Sequence, residues 1–158
     1  ALAGCSGQRG PDAAAAQWVL RTGGWVELRD AAGGTHDSRA AGPDLPGEFQ
    51  ILKIGWRSYP GDAFPEVDDD VLAQLAGLEQ LEELDLSGTA VTDAGLEPLT
   101  ALSGLSGLYL NDTAVSDAAV PHLSRLGRLK ILSIGGTRIT WDGVRRLQQS
   151  LPGCRITN

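Results

Sequence analysis

From residue 58 to residue 124 the sequence contains no lysine or arginine, while thirteen aspartates and glutamates fall in the same stretch. Proteins that hold nucleic acid recruit its phosphates with clustered basic side chains. A chain of net charge -7 with this gap is therefore expected to bind neither nucleic acid nor an anionic membrane surface. Cysteine is nearly missing too: Cys5 and Cys154 form no CxxC pair and have no histidine near them, which excludes a thiolate metal cage and a disulfide framework. No run of about 18 apolar residues exists, so no membrane-spanning helix is encoded. Aromatic residues make up only 5% of the chain, so each one has to be accounted for individually.

Catalytic groupings are also lacking. His36 lies in a Gly-rich stretch, and His122 occupies a repeat position held elsewhere by Gln74, Pro98 and Arg146, which marks it as a variable, exposed helix site. Gly135-Gly136-Thr137 lacks the lysine of a phosphate loop. Asp68-Asp69-Asp70 lacks the alternating ligands and glycine of a calcium loop and reads as helix-start acids. The expectation is a non-enzymatic chain with no cofactor and no metal.

What the chain does contain is repetition at a spacing of 24 residues. LEELDLSGT at 81–89 recurs as LSGLYLNDT at 105–113 and as LKILSIGGT at 129–137. The half-units VTDAGL at 91–96, VSDAAV at 115–120 and ITWDGV at 139–144 follow, with a weaker copy from Val67. Alternating apolar residues in LxL predict a short strand with one buried face. Leu96, Leu99 and Leu102, and likewise Val120, Leu123 and Leu126, predict an amphipathic helix. Thr92, Ser116 and Thr140 stand where they can cap those helices, Asp68 takes that slot in the first copy, and Asp93 and Asp117 suit the helix dipole. Stacking such units buries a leucine ladder that no single unit could bury alone.

Over residues 67–156 the chain resembles a bacterial leucine-rich-repeat protein of the 24-residue type, similar to the cysteine-containing repeats that follow F-box domains. The resemblance implies an α/β solenoid with a curved parallel sheet and helices on the convex side. The usual ladder asparagine is replaced by Thr89, Thr113 and Thr137, whose hydroxyls must satisfy the loop backbone. Residues 66–158 form the repeats, and residues 11–65 an N-terminal α/β cap: a helix from Asp12 to Thr22 stopped by Gly23-Gly24, a strand at Trp25–Leu28 and another at Phe49–Ile54. Residues 30–48 between those strands are expected to be a mobile loop. Pro152-Gly153 end the last helix, and Cys154, read as a buried small hydrophobe, opens one more strand.

Residues 1–10 are expected to be a tether or signal-peptide remnant. Leu2-Ala3-Gly4-Cys5 matches the lipobox of bacterial lipoproteins, making Cys5 a candidate lipidation site and membrane tether. The cell envelope is the expected location, with the cytoplasm as the alternative. In the repeat family the residues alternating with the buried leucines line the concave face, where partners dock. Here these are Glu83, Asp85 and Ser87; Gly107, Tyr109 and Asn111; Ile131, Ser133 and Gly135; and Ile51, Lys53 and Glu27 from the cap. The resulting expectation is a protein- or peptide-binding or scaffolding module using Lys53, Glu83, Asp85, Ser87, Tyr109, Asn111 and Ser133. The alternative is a structural protein. Its acidic middle would meet a basic C-terminal end, which carries seven bases against one acid from Arg125 onward, in an otherwise monomeric or weakly self-associating chain.

Overall fold

The computed structural model describes residues 11–38, 45–56 and 67–158. Helix α1 (Pro11–Arg21) is built on an alanine run, a strong local helix former. It ends in Gly23 at φ +78°, with the Gly24 amide bonded to the Val19 carbonyl, a left-handed stop that glycine adopts without steric penalty. Three strands follow: β1 (Trp25–Asp30), β2 (Thr35–Asp37) and β3 (Phe49–Gly55). β1 pairs antiparallel with both of the others. The turn before β2 is closed by the Asp30 carboxylate, which accepts from the Ala32 and Gly34 amides at 2.9 and 2.8 Å and meets His36 Nε2 at 2.6 Å. Part of the stretch expected to be a mobile loop is therefore a hairpin, and His36 lies on its second strand. Three residues of strand were too few for an alternation to show in the sequence.

From β3 onward the sheet is parallel. β4 (Glu83–Asp85), β5 (Gly107–Tyr109), β6 (Ile131–Ser133) and β7 (Arg155–Thr157) join it in the order β2-β1-β3-β4-β5-β6-β7. The repeat spacing is the pairing register: Glu83, Gly107, Ile131 and Arg155 stand side by side, as do Asp85, Tyr109, Ser133 and Thr157. Leu84, Leu108 and Leu132, and Leu86, Leu110 and Ile134, are fully buried, each contributing roughly 1.5–3 kcal/mol by leaving water. The core continues into the cap, where buried Trp56 tilts against Trp18 with ring centroids 5.3 Å apart and donates to Thr22 Oγ1 at 3.0 Å.

The expected convex helices are mostly shorter and tighter than α-helices. The segments between strands hold 3-10 turns at Ala73–Leu75, Ala94–Leu96, Pro98–Ala101 and Asp117–Ala119, with single α turns α2 (Asp69–Leu72) and α3 (Val120–Leu123). A spacing of three residues between leucines suits a 3-10 turn better than an α-helix, and Pro98 has no amide to extend one. Among the described segments that follow a repeat strand, only α4 (Trp141–Ser150) is a full helix. His122, expected to be exposed, is half-buried beside Leu123, with its Nδ1 buried and unpartnered among the described residues. Cys154, expected to be buried, is a half-buried free thiol packed on the core.

Two ladders recur along the stack, one closing a turn within each unit and one joining each unit to the next. Thr89, Thr113 and Thr137 each donate Oγ1–H to the carbonyl three residues back, Leu86, Leu110 and Ile134, at 2.7 Å in every unit. The hydroxyl thus satisfies the turn that asparagine would otherwise serve. In the second ladder Asp69, Asp93 and Asp117 reach into the next unit. Each carboxylate accepts from both the amide and the hydroxyl of Thr92, Ser116 or Thr140, at 2.5–2.8 Å. Gly95 and Gly143 leave the space that the Asp69 and Asp117 carboxylates occupy. The expected capping is seen at Ser116 and Thr140, which accept from the Ala118 and Gly143 amides at 3.3 Å, but not at Thr92. Asp93 and Asp117 act as clamps between units rather than as charges on a helix dipole, which three-residue turns scarcely possess. The architecture is a leucine-rich-repeat solenoid whose parallel sheet continues into an antiparallel cap.

Candidate functional site: the strand face of the solenoid

Strand alternation places one row of side chains outward from each register line. Along the first row stand Glu27, Lys53, Glu83, Gly107 and Ile131; along the second, Trp25, Gly55, Asp85, Tyr109 and Ser133. Ser87, Asn111 and Gly135 continue the face just past the strands. The Lys53 ammonium lies 3.5 Å from both Glu27 and Glu83 carboxylates. Burial weakens its charged form, but Glu83 and Glu27 outweigh that and raise its pKa. Half-exposed pairs of this kind contribute little to stability; their effect here is to hold Lys53 in one place.

The rest of the face is joined by hydrogen bonds. Asp85 Oδ1 accepts from the Ser87 amide at 3.0 Å, and Asn111 Nδ2 donates to Ser87 Oγ at 3.1 Å. Asn111 Oδ1 accepts from Ser133 Oγ at 2.7 Å and from the Gly135 amide at 3.0 Å, and Thr157 Oγ1 donates to Ser133 Oγ at 3.0 Å. These groups are pre-ordered, which reduces the entropy that a partner would have to remove on binding.

A hollow of about 480 Å³ opens on this face, lined by Trp25, Glu27, Lys53, Ile54, Glu83, Asp85, Ser87, Tyr109 and Asn111. Six of the seven residues expected to bind a partner line it: Lys53, Glu83, Asp85, Ser87, Tyr109 and Asn111. Ser133 lies beyond its rim, attached through Asn111. Burial and then the charges of Glu83 and Asp85 raise the Tyr109 phenol pKa, against an opposing effect of Lys53, so the ring is neutral and its hydroxyl can donate at neutral pH.

Two features depart from the sequence reading. Ile51, expected on this face, is buried in the core. The pairing of β1 with β3 slips between Glu27 and Leu28, so that Glu27 faces Lys53 and Leu28 faces Ile51, leaving Leu52 as the extra residue of a bulge. Such an insertion reverses the alternation below it. Conversely, Trp25, expected only to start a strand, lays its ring across Gly55, in space that any Cβ there would need, and walls the hollow. Its position two residues before Glu27 on one strand was the available signal. Cys5 lies outside the described residues. Among the described residues no group of histidine, cysteine and carboxylate side chains could hold a metal, and no helix is long and apolar enough to cross a membrane.

No protein-family model matches the chain, and no curated protein is significantly similar to it. Solved structures are similar. A leucine-rich-repeat protein of Leptospira interrogans aligns with 54% of this chain and 27% of its own length, at 20% identity and a TM-score of 0.41. An internalin of Listeria monocytogenes aligns with 55% of this chain and 31% of its own length, at 22% identity and a TM-score of 0.41. The chain is thus similar to bacterial leucine-rich-repeat proteins of which it spans less than a third.

Proposed function

We propose that the chain is a non-catalytic binding module that takes a protein or peptide partner on the strand face of its sheet. The observation that carries the reading is the hollow at the cap-to-repeat junction, where two aromatic rings, three carboxylates, one lysine and two neutral polar groups converge on a rigid sheet. Small hollows that combine apolar faces with a few placed polar groups are where ligands orient, and a half-exposed tyrosine among small polar neighbours has the make-up of an interface anchor. Selection of peptides from a random library on the intact chain tests it. Enriched peptides are expected to lose binding to Tyr109→Ala and Asp85→Lys while circular dichroism shows both variants folded. Peptides indifferent to both changes would sink the reading.

The lipobox match at Leu2-Ala3-Gly4-Cys5 supports a second element of the proposal: Cys5 is lipidated and tethers the module in a bacterial cell envelope. Mass spectrometry of the protein expressed from its complete gene in a bacterial host is expected to find a lipid mass on the Cys5 peptide. An unmodified thiol there would discard the tether.

A further inference from the structure

The two rows of the strand face are built differently, and the difference points to a partner chemistry. In the first row a cation is already in place, with Lys53 between Glu27 and Glu83. In the second row Asp85 occupies the corresponding central position, one strand from Tyr109 on one side and from Gly55 on the other. The Gly55 place is filled by the ring of Trp25 lying across it. Adjacent strands stand about 4.8 Å apart, so both rings lie within side-chain reach of the Asp85 carboxylate. Among the described residues Asp85 makes no ion pair, and its hydrogen bond is to the Ser87 amide. Gly107, the next residue of the first row, lets the Glu83 and Tyr109 side chains close over it, 3.0 and 3.6 Å from where a Cβ would stand. The lining carries three carboxylates against one ammonium, a net charge of -2.

We propose that the hollow receives a cationic side chain of the partner, arginine above all, seated on Asp85 between the rings of Trp25 and Tyr109. This rests on the strand face being the binding surface. A cation over an aromatic face is attracted by the ring quadrupole. A guanidinium adds a planar surface that stacks and a fork that matches a carboxylate. Ser87 Oγ, which accepts one bond from Asn111 Nδ2, keeps a second lone pair at the rim for a remaining donor. Lys53 acts as the resident competitor, because its charge partly neutralises the acids that would attract the incoming cation.

Nuclear magnetic resonance on the full chain tests the assignment, with the tripeptide acetyl-Gly-Arg-Gly-amide as probe. The Trp25 indole N–H and Tyr109 ring signals are expected to shift saturably. The same peptide with citrulline, which keeps the shape and loses the charge, is expected to bind about tenfold more weakly. Asp85→Asn should weaken the arginine peptide by a similar factor, and Lys53→Gln should strengthen it. Equal binding of arginine and citrulline, unmoved Trp25 and Tyr109 signals, or tighter binding of a glutamate peptide would each overturn the proposal. Library selection separates this from failure of the binding face itself. Peptides that need Tyr109 but carry no basic residue would leave the face standing and remove the cation, whereas peptides indifferent to the face variants would remove both.

Discussion

The Asp93 carboxylate holds Ser116 of the following unit by two bonds at once, the Ser116 amide at 2.6 Å and its hydroxyl at 2.7 Å. Asp69 and Asp117 do the same for Thr92 and Thr140. The clamp joins units across the stack rather than stabilising one unit alone, so its loss should appear in cooperativity as well as in stability. Asp93→Ala is expected to destabilise the chain by about 1–3 kcal/mol, and Asp93→Asn, which keeps one acceptor, by less. Urea unfolding followed by circular dichroism measures both. Equal midpoints for Asp93→Ala and the parent chain would show that the clamp contributes nothing.

Acid should release one of these clamps. The hydroxyl and amide of Thr140 lower the pKa of Asp117 by bonding its charged form, and His36, with the Gly34 and Ala32 amides, lowers that of Asp30. A carboxyl whose folded pKa is depressed adds stability that is fully present above its unfolded value, near about 3.9, and is lost as pH falls from there through the folded pKa. Asp12, whose pKa is raised by burial, changes stability in the opposite sense. The stability difference between the parent chain and Asp117→Asn is therefore expected to be larger at neutral pH than at pH about 2. A difference that does not change with pH would contradict the clamp's charge.

The threonine ladder should respond unevenly. The Leu86 carbonyl accepts from both the hydroxyl and the amide of Thr89, and Ile134 likewise from Thr137, whereas Leu110 is reached only by the Thr113 hydroxyl among the described residues. The turn is of one kind in all three units, with Asp112 at φ +55° where the others have Gly88 at +73° and Gly136 at +72°. Thr113→Val should therefore leave a buried carbonyl without a donor, at about 1–3 kcal/mol, and Thr89→Val should cost less. Denaturant midpoints that rank the two the other way would refute this account.

Tyr109 offers a spectroscopic check on the strand face. In a Tyr59→Phe background only one phenol remains to titrate. Its absorbance change is expected at a pH above the ordinary tyrosine value of about 10, because burial and then Glu83 and Asp85 disfavour the phenolate. Glu83→Gln should bring the transition down. A transition unmoved by that substitution would mean that the two groups are not neighbours in solution.

The leucine ladder, the strand registers and the outward positions of Glu83, Asp85, Tyr109 and Asn111 were legible because a 24-residue period states them directly. The Asp clamps were not, since an acid after a threonine looks the same whether it faces its own turn or the next unit's. Trp25 escaped notice because its place on the face depends on β1 pairing with β3, a contact between segments that share no repeat. The bulge at Leu52 is invisible to any strict alternation, and Ile51 was misplaced for that reason. The hairpin strand at Thr35–Asp37 is held by the Asp30 turn, a signal that its Gly-rich surroundings obscured.

The extra residue at Leu52 gives β3 two phases. On one side of it the strand keeps step with the cap, turning Ile51 inward beside Leu28; on the other it keeps step with the repeats, turning Lys53 outward between Glu27 and Glu83. Deleting Leu52 would force a single phase on the whole strand. Ordinary alternation would then still turn Ile51 inward and Lys53 outward, so what the extra residue adds is a second buried leucine beside Ile51 and a carbonyl that accepts from the Glu82 amide at 2.7 Å, fastening the cap to the first repeat.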